Sequence, residues 1–310
     1  MKRDFRFGLQ ILEAAPRDEF TRCVRRAEEL GFSSVLLSDH VTAGVHAPFS
    51  ALAIAAAVTE KVRVGFHMIN NDLRRAALVA HEAATLDLMS RGRLELGIGA
   101  GWKGPEYDEL GIPYDPREVR VDRLAESIGI IKRLLAGESV NFDGKYYHVR
   151  NHLVNPGPVQ KPVPLAIGES GKRLLSLAAR EADIISFLDW RIDRSGRTFR
   201  YDDFTPEELE RKIGLVRRVA GERFEQIELA AYVWYFQEGK SDRDAAMQVS
   251  RDKSLSIDDI ISSPFTLLGS PDNMIEKVER NRERFGISYC VVRNPAMEAM
   301  KDVVSQLAGH

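Results

Sequence analysis

Cysteine is almost absent from this chain: Cys23 and Cys290 are the only two among 310 residues. Neither stands in a close metal-ligand or redox spacing, which excludes a disulfide framework and a cysteine-built metal centre and suits a reducing, cytoplasmic setting. No apolar run reaches the roughly 18 residues that a membrane-spanning helix needs. The opening MKRDFRFGLQI has charge but neither the apolar stretch nor the small-residue cleavage pattern of an export signal, so neither export nor a membrane span is expected. A dominant charge is also missing. The chain has 44 Lys and Arg against 46 Asp and Glu, a net −2, and a pI near 6.4, with no general attraction to nucleic acid or an anionic membrane. Arg22, Arg25 and Arg26 are interleaved with acids and read as a solvated helix face. Neither the Walker spacing nor the GxSxG elbow occurs, which argues against P-loop and serine hydrolase chemistry.

What is present is ample material for a core, with 44% hydrophobic and 29% charged residues. Apolar strand patterns alternate with amphipathic helix patterns, as in a parallel sheet covered by helices. The strands are read over Phe5–Ile11, Ser33–Ser38, Val62–Met68, Leu94–Ile98, Leu165–Ile167, Asp183–Leu188, Ile227–Phe236 and Tyr289–Val292. Eight strands with intervening helices predict an α/β fold, a (β/α)8 TIM barrel with insertions, over residues 1–310 as a single domain. A hairpin is expected near 138–150, where Asp143-Gly144 suits a tight turn. The polar stretch 189–204 is too long for an ordinary barrel connection and reads as a lid or a disordered insertion.

Chemistry in such a barrel gathers where strands end and loops begin. The second strand ends in Ser38-Asp39-His40, either a capped turn with a surface histidine or an acid and imidazole at a working rim. No third well-placed His or Cys accompanies them, so no metal is expected. The third strand runs through His67 and Met68 to Asn70-Asn71-Asp72, and His67 is either a satisfied core histidine or the edge of something polar. The fourth strand ends in Gly97, Gly99, Ala100, Gly101 and Trp102. This is not the dinucleotide fingerprint, because no final glycine opens a helix at the required interval. The glycines serve either tight packing or a ligand's close approach. After the fifth strand, Gly168-Glu169-Ser170-Gly171 runs into a helix, where free amides favour phosphate unless Ser170 is an ordinary cap.

Taken in order, Ser38-Asp39-His40, Asn70-Asn71-Asp72-Leu73-Arg74, the stretch Ala83 to Trp102, Gly144-Lys145-Tyr146-Tyr147 and Gly269-Ser270-Pro271 resemble the luciferase-like monooxygenase superfamily. The likeness is greatest to its deazaflavin-dependent branch and covers nearly the whole chain. The resemblance implies a bacterial luciferase-like barrel holding coenzyme F420 across its C-terminal rim. It implies hydride transfer to or from an unidentified small organic substrate. It makes His40 the catalytic candidate, with Asp39, His67, Met68, Asn70, Ala100 and Gly101 beside the ring. Gly168, Glu169, Ser170 and Gly171 fall at the cofactor tail, and Trp102 in the substrate pocket. It also implies a non-proline cis peptide at His67-Met68 and a homodimer. Gly44 and Trp102 stand where sugar-phosphate dehydrogenase members carry an aromatic residue and an acid, so that reaction is not implied. Ala100 replaces the arginine found there in bacterial luciferase. An FMN-dependent monooxygenase and a noncatalytic flavin-binding protein remain the alternatives.

Overall fold

The computed structural model describes residues 3–42, 44–168, 171–200, 204–253 and 256–310, the side chains of 251–253 excepted. Eight parallel strands close on themselves: β1 Arg6–Ile11, β2 Ser34–Leu37, β3 Arg63–Phe66, β4 Leu94–Gly99, β5 Leu165–Gly168, β6 Ile184–Phe187, β7 Glu228–Tyr232 and β8 Ile287–Arg293. Leu9 lies in register with Val35 on one side and Val292 on the other, and β3 meets β4 through Val64 and Leu94. The TIM barrel expected from the sequence is therefore present. Its strands are short and buried on both faces, which is why they read as plain apolar runs.

Helices cover the outside, and several present one apolar stripe to the strands. Phe20, Val24 and Ala27 of Arg17–Glu29 turn inward while its arginines stay at the surface. Several helix starts carry their own signals. Thr205 accepts from the Glu208 amide at the head of Pro206–Ala220, and Ser270 and Asn273 form a capping box before Pro271–Phe285. Buried charge closes the base of the barrel: Arg6 bridges Glu228 at 2.6 Å and Glu95, which also meets Arg63 at 2.8 Å and the Tyr289 hydroxyl at 3.1 Å. Buried charges persist only when paired in this way. The opposite end, where the strands finish, is open.

The chain departs from a plain barrel at three places. The expected strand Ile227–Phe236 is two strands. Val233 still donates to Val291, but Trp234 turns to Phe265, and Tyr235–Glu238 then pairs with Thr266–Gly269 outside the barrel. An apolar run does not reveal a change of neighbour midway. Val140–Asp143 and His148–His152 form an antiparallel hairpin, whose turn amides at 145–147 are held by Glu126. Within 189–204, Arg191–Ile192 and Phe199–Arg200 form a second hairpin. Asp193 organises its turn by accepting from Ser195 and from the amides of Arg197 and Thr198. The Gly104 amide donates to Gly196, tying this hairpin over the barrel mouth.

Candidate active site

A cavity of about 760 Å³ opens at the C-terminal ends of the strands. Asp39 leaves β2 buried, and both its oxygens are engaged: Arg74 donates to them at 2.6 and 2.7 Å, and the Asn70 amide at 3.1 Å. Asp39 thus fixes the chain that follows β3. There the His67-Met68 peptide is cis, as the resemblance implied. Beyond it, Ile69–Asn70 pairs with the end of β4.

His40 is the next residue along. Its Nδ1 lies 2.9 and 3.1 Å from the two carboxylate oxygens of Glu106, a fully buried side chain. Because a carboxylate only accepts, Nδ1 carries the proton, and Nε2 of the neutral ring holds the lone pair. Glu106 also receives the Thr42 hydroxyl at 3.2 Å and the Lys103 ammonium at 3.2 Å. Burial drives the Glu106 carboxyl up, but the His40 hydrogen bond and the His40 and Lys103 charges outweigh it, and its pKa is lowered. The sequence reading did not find Glu106. Its signal was the Gly104-Pro105-Glu106 start of the short helix Gly104–Glu109, with proline and an acid in the first turn.

Below them is a polar chain. Gln10 donates to Ser38 and to the His67 carbonyl, each at 2.9 Å, and His67 Nε2 meets the Ser186 hydroxyl at 2.9 Å. The His67 ring stacks on Tyr232 at 5.0 Å. Burial pushes the His67 imidazole down to about 4, so it is neutral near pH 7. Both features of the sequence reading are present: a satisfied histidine, and one that lines the cavity.

The glycine run divides by role. A Cβ at Gly97 would strike the Phe66 carbonyl and lie 2.6 Å from the Met68 sulfur, so this glycine admits the bulge after β3. Gly101 has φ +76°, and a Cβ there would strike the Tyr107 hydroxyl and Asn70 Oδ1. Asn70 Oδ1 accepts from Tyr107 and from the Asp72 amide, and Gly101 lends its carbonyl to Arg120. Gly99, Ala100, Gly101 and Trp102 all line the cavity, as do Met68 and Gly168. Of the expected tail anchor, Glu169 and Ser170 lie outside the described residues. Gly171 heads the helix Lys172–Glu181, and a Cβ there would sit 2.6 Å from an Arg117 guanidinium nitrogen. Arg117, which the sequence reading missed, lines the cavity near this turn and opens the helix Arg117–Leu135.

A luciferase-like monooxygenase model matches residues 4–289. The chain belongs to the luciferase-like monooxygenase family. This luciferase-like chain is 39% identical over 176 residues to an F420-dependent glucose-6-phosphate dehydrogenase of Beutenbergia cavernae, covering 54% of this chain and 52% of that one. The chain thus matches only about half the length of such relatives. Among solved structures, it is similar to the coenzyme F420-dependent tetrahydromethanopterin reductase of Methanopyrus kandleri, with a TM-score of 0.78 and 20% identity, across 99% of both chains. It is also similar to a long-chain alkane monooxygenase, with a TM-score of 0.76 and 15% identity, across 99% of this chain and 92% of that one. At such identities the likeness speaks to the fold alone. The luciferase-like barrel serves both kinds of chemistry, and the cavity's own residues must decide between them.

Proposed function

We propose that this chain is a coenzyme F420-dependent oxidoreductase that moves a hydride between the deazaflavin and a small organic substrate. The observation that carries this reading is the His40–Glu106 pair, an imidazole held at 2.9 Å by a buried carboxylate at the mouth of a cavity. The relatives named as F420-dependent dehydrogenases favour the same cofactor over the half of each chain that matches.

The cavity fits such a group. Gln10 is 3% exposed and its Oε1 has no hydrogen-bond partner among the described residues, so a bound ring with an N–H would satisfy it. Met68, Ala100 and Gly101 would lie along the ring, with His67 and Asn70 fixing the backbone around it and Asp39 pinning that segment through Arg74. Gly168, Gly171 and Arg117 would hold the phosphate-bearing tail, joined in this proposal by Glu169 and Ser170. When bound, coenzyme F420 supplies a carbon that accepts or releases hydride, while the protein supplies orientation and electrostatics.

His40 Nε2 exchanges the proton of the substrate oxygen. Glu106 holds the ring and stabilises its charged form, much as a buried acid does behind a catalytic histidine elsewhere. Trp102 stands against His40, with ring centres 5.5 Å apart, and with the hairpin over the mouth it keeps water from the reacting atoms.

We further infer a homodimer in the cytoplasm. Leu78 and Met89 remain 62% and 68% exposed on the helix Ala76–Met89, and both cysteines are unpaired. Turnover with reduced F420 and a carbonyl panel, run under argon and under air, tests the main reading. Equal rates without oxygen uptake are expected. Turnover that needs oxygen and FMN would instead establish the monooxygenase reading.

A further inference from the structure

The chain has three tryptophans, and all three line the same cavity. Trp102 follows β4, Trp190 follows β6, and Trp234 follows β7. Phe199 of the hairpin over the mouth and Tyr232 at the end of β7 complete the set. Trp102 and Trp190 have ring centres 5.1 Å apart, and Phe199 stands 5.4 Å from the first and 5.0 Å from the second. Trp234 continues the wall, 6.3 Å from Trp190 and 5.6 Å from Tyr232. Most of these contacts are edge-to-face, leaving ring faces and edges for a further flat or cyclic body. Arg293 fixes Trp234 from behind, donating to its carbonyl at 3.0 Å with the guanidinium over its ring.

Five aromatic residues from three separate strand ends thus meet in one wall of the cavity. One polar atom within the wall is unsatisfied. Trp190 is 6% exposed, yet its indole N–H has no acceptor among the described residues. A buried indole N–H normally has a partner. Three of the four lining cations already have partners, and the fourth, Arg194, is exposed. Lys103 serves Glu106 and Thr42, Arg120 serves the Gly101 and Asp115 carbonyls, Arg117 lies against Gly171, and Arg194 is exposed on the hairpin turn.

We propose that this aromatic chamber is the substrate subsite. The molecule it takes is a neutral, ring-bearing ketone or the matching secondary alcohol, not a phosphorylated sugar. This rests on the hydride-transfer reading above and names the substrate class for that site. In the reducing direction the carbonyl π bond breaks, the carbon gains the hydride supplied by the reduced coenzyme, and the oxygen gains a proton from His40. The coenzyme leaves oxidised, and His40 is reprotonated from water. The Trp190 N–H donates to an acceptor on the substrate, and the rings of Trp102, Phe199 and Trp234 enclose its apolar body.

The test uses the whole protein, with acetophenone and glucose 6-phosphate as probes, in calorimetric titrations with and without F420. Acetophenone is expected to bind at least about tenfold more tightly than glucose 6-phosphate, since the aromatic walls enclose a flat ring and leave the sugar's hydroxyls unpaired. Trp190→Phe keeps the ring and removes the N–H, and should weaken acetophenone binding about fivefold. Its affinity for F420 should stay within about twofold of the parent protein. Equal or reversed preference between the two probes, including no binding of either, overturns the assignment. So does a Trp190→Phe variant that binds acetophenone as well as the parent. A protein that prefers acetophenone but binds no F420 would retain the chamber and refute the cofactor reading instead.

Discussion

Replacing Glu106 by glutamine isolates what the buried acid does for His40. The substitution keeps the shape and an acceptor oxygen for Nδ1, but removes the charge beside an imidazole 2.9 Å away. For unit charges about 3 Å apart, an effective dielectric near 20 gives on the order of 5 kcal/mol. His40 is 23% exposed at its side chain, and Lys103 already offsets part of the acid's charge. A net loss of about 1.5–3 kcal/mol is therefore expected, the range for a hydrogen bond to a charged group. In alcohol oxidation His40 takes the hydroxyl proton and becomes the imidazolium, so that is roughly a 10- to 150-fold slower hydride transfer. Single-turnover kinetics with oxidised F420 and the best secondary alcohol of a panel, followed by deazaflavin absorbance, would read it. F420 affinity should be unchanged, because Glu106 acts through His40. There is also a stability signature. The Glu106 pKa is lowered by folding from 4.5, so its contribution is fully present above that value and is lost as pH falls through the folded pKa. The gap in stability between parent and Glu106→Gln should therefore shrink below pH 4.5. A variant within twofold of the parent rate would refute the role given to this pair.

Other outcomes follow from particular contacts. Arg74→Met strands the buried Asp39 carboxylate and should cost about 3 kcal/mol in urea unfolding, somewhat less than for a fully buried pair, because Arg74 is partly exposed. Gly97→Ala has no room against the Phe66 carbonyl and should destabilise by more than about 2 kcal/mol. By contrast, Gly129→Ala on the helix Arg117–Leu135 meets nothing within 4 Å and should stabilise by about 1 kcal/mol in the same assay. The His67 pKa is lowered from 6.5 to about 4, so the unfolded chain takes up a proton that the folded one refuses. Stability should fall as pH drops from 6.5 toward 4 by on the order of 2 kcal/mol from this group, and His67→Gln should flatten that segment.

The barrel was legible because its order is one-dimensional: short apolar runs alternating with helical segments. What escaped were choices of partner. Nothing in the run from Ile227 to Phe236 states that Trp234 leaves β8 for Phe265. The candidate site divides the same way. Asp39 and His40 stand together in sequence and were found together. Their working partners, Arg74 and Glu106, lie 35 and 66 residues away, and only the fold joins them. The glycine run showed that something must approach closely, without saying what. For Gly97 it is the protein's own backbone, and at Gly101 it is Tyr107 and Asn70. Arg117 went unmarked and Trp190 fell within the insertion 189–204, because the cavity that collects them is built from segments distant in the chain.

The central claim is that this cavity takes a deazaflavin, with Gln10, Gly101 and Arg117 among the residues that hold it. The direct measurement is a fluorescence titration of the purified protein with oxidised F420 and with FMN in one buffer. The account predicts saturable F420 binding at least about tenfold tighter than FMN. Tight FMN binding with none for F420 would contradict it.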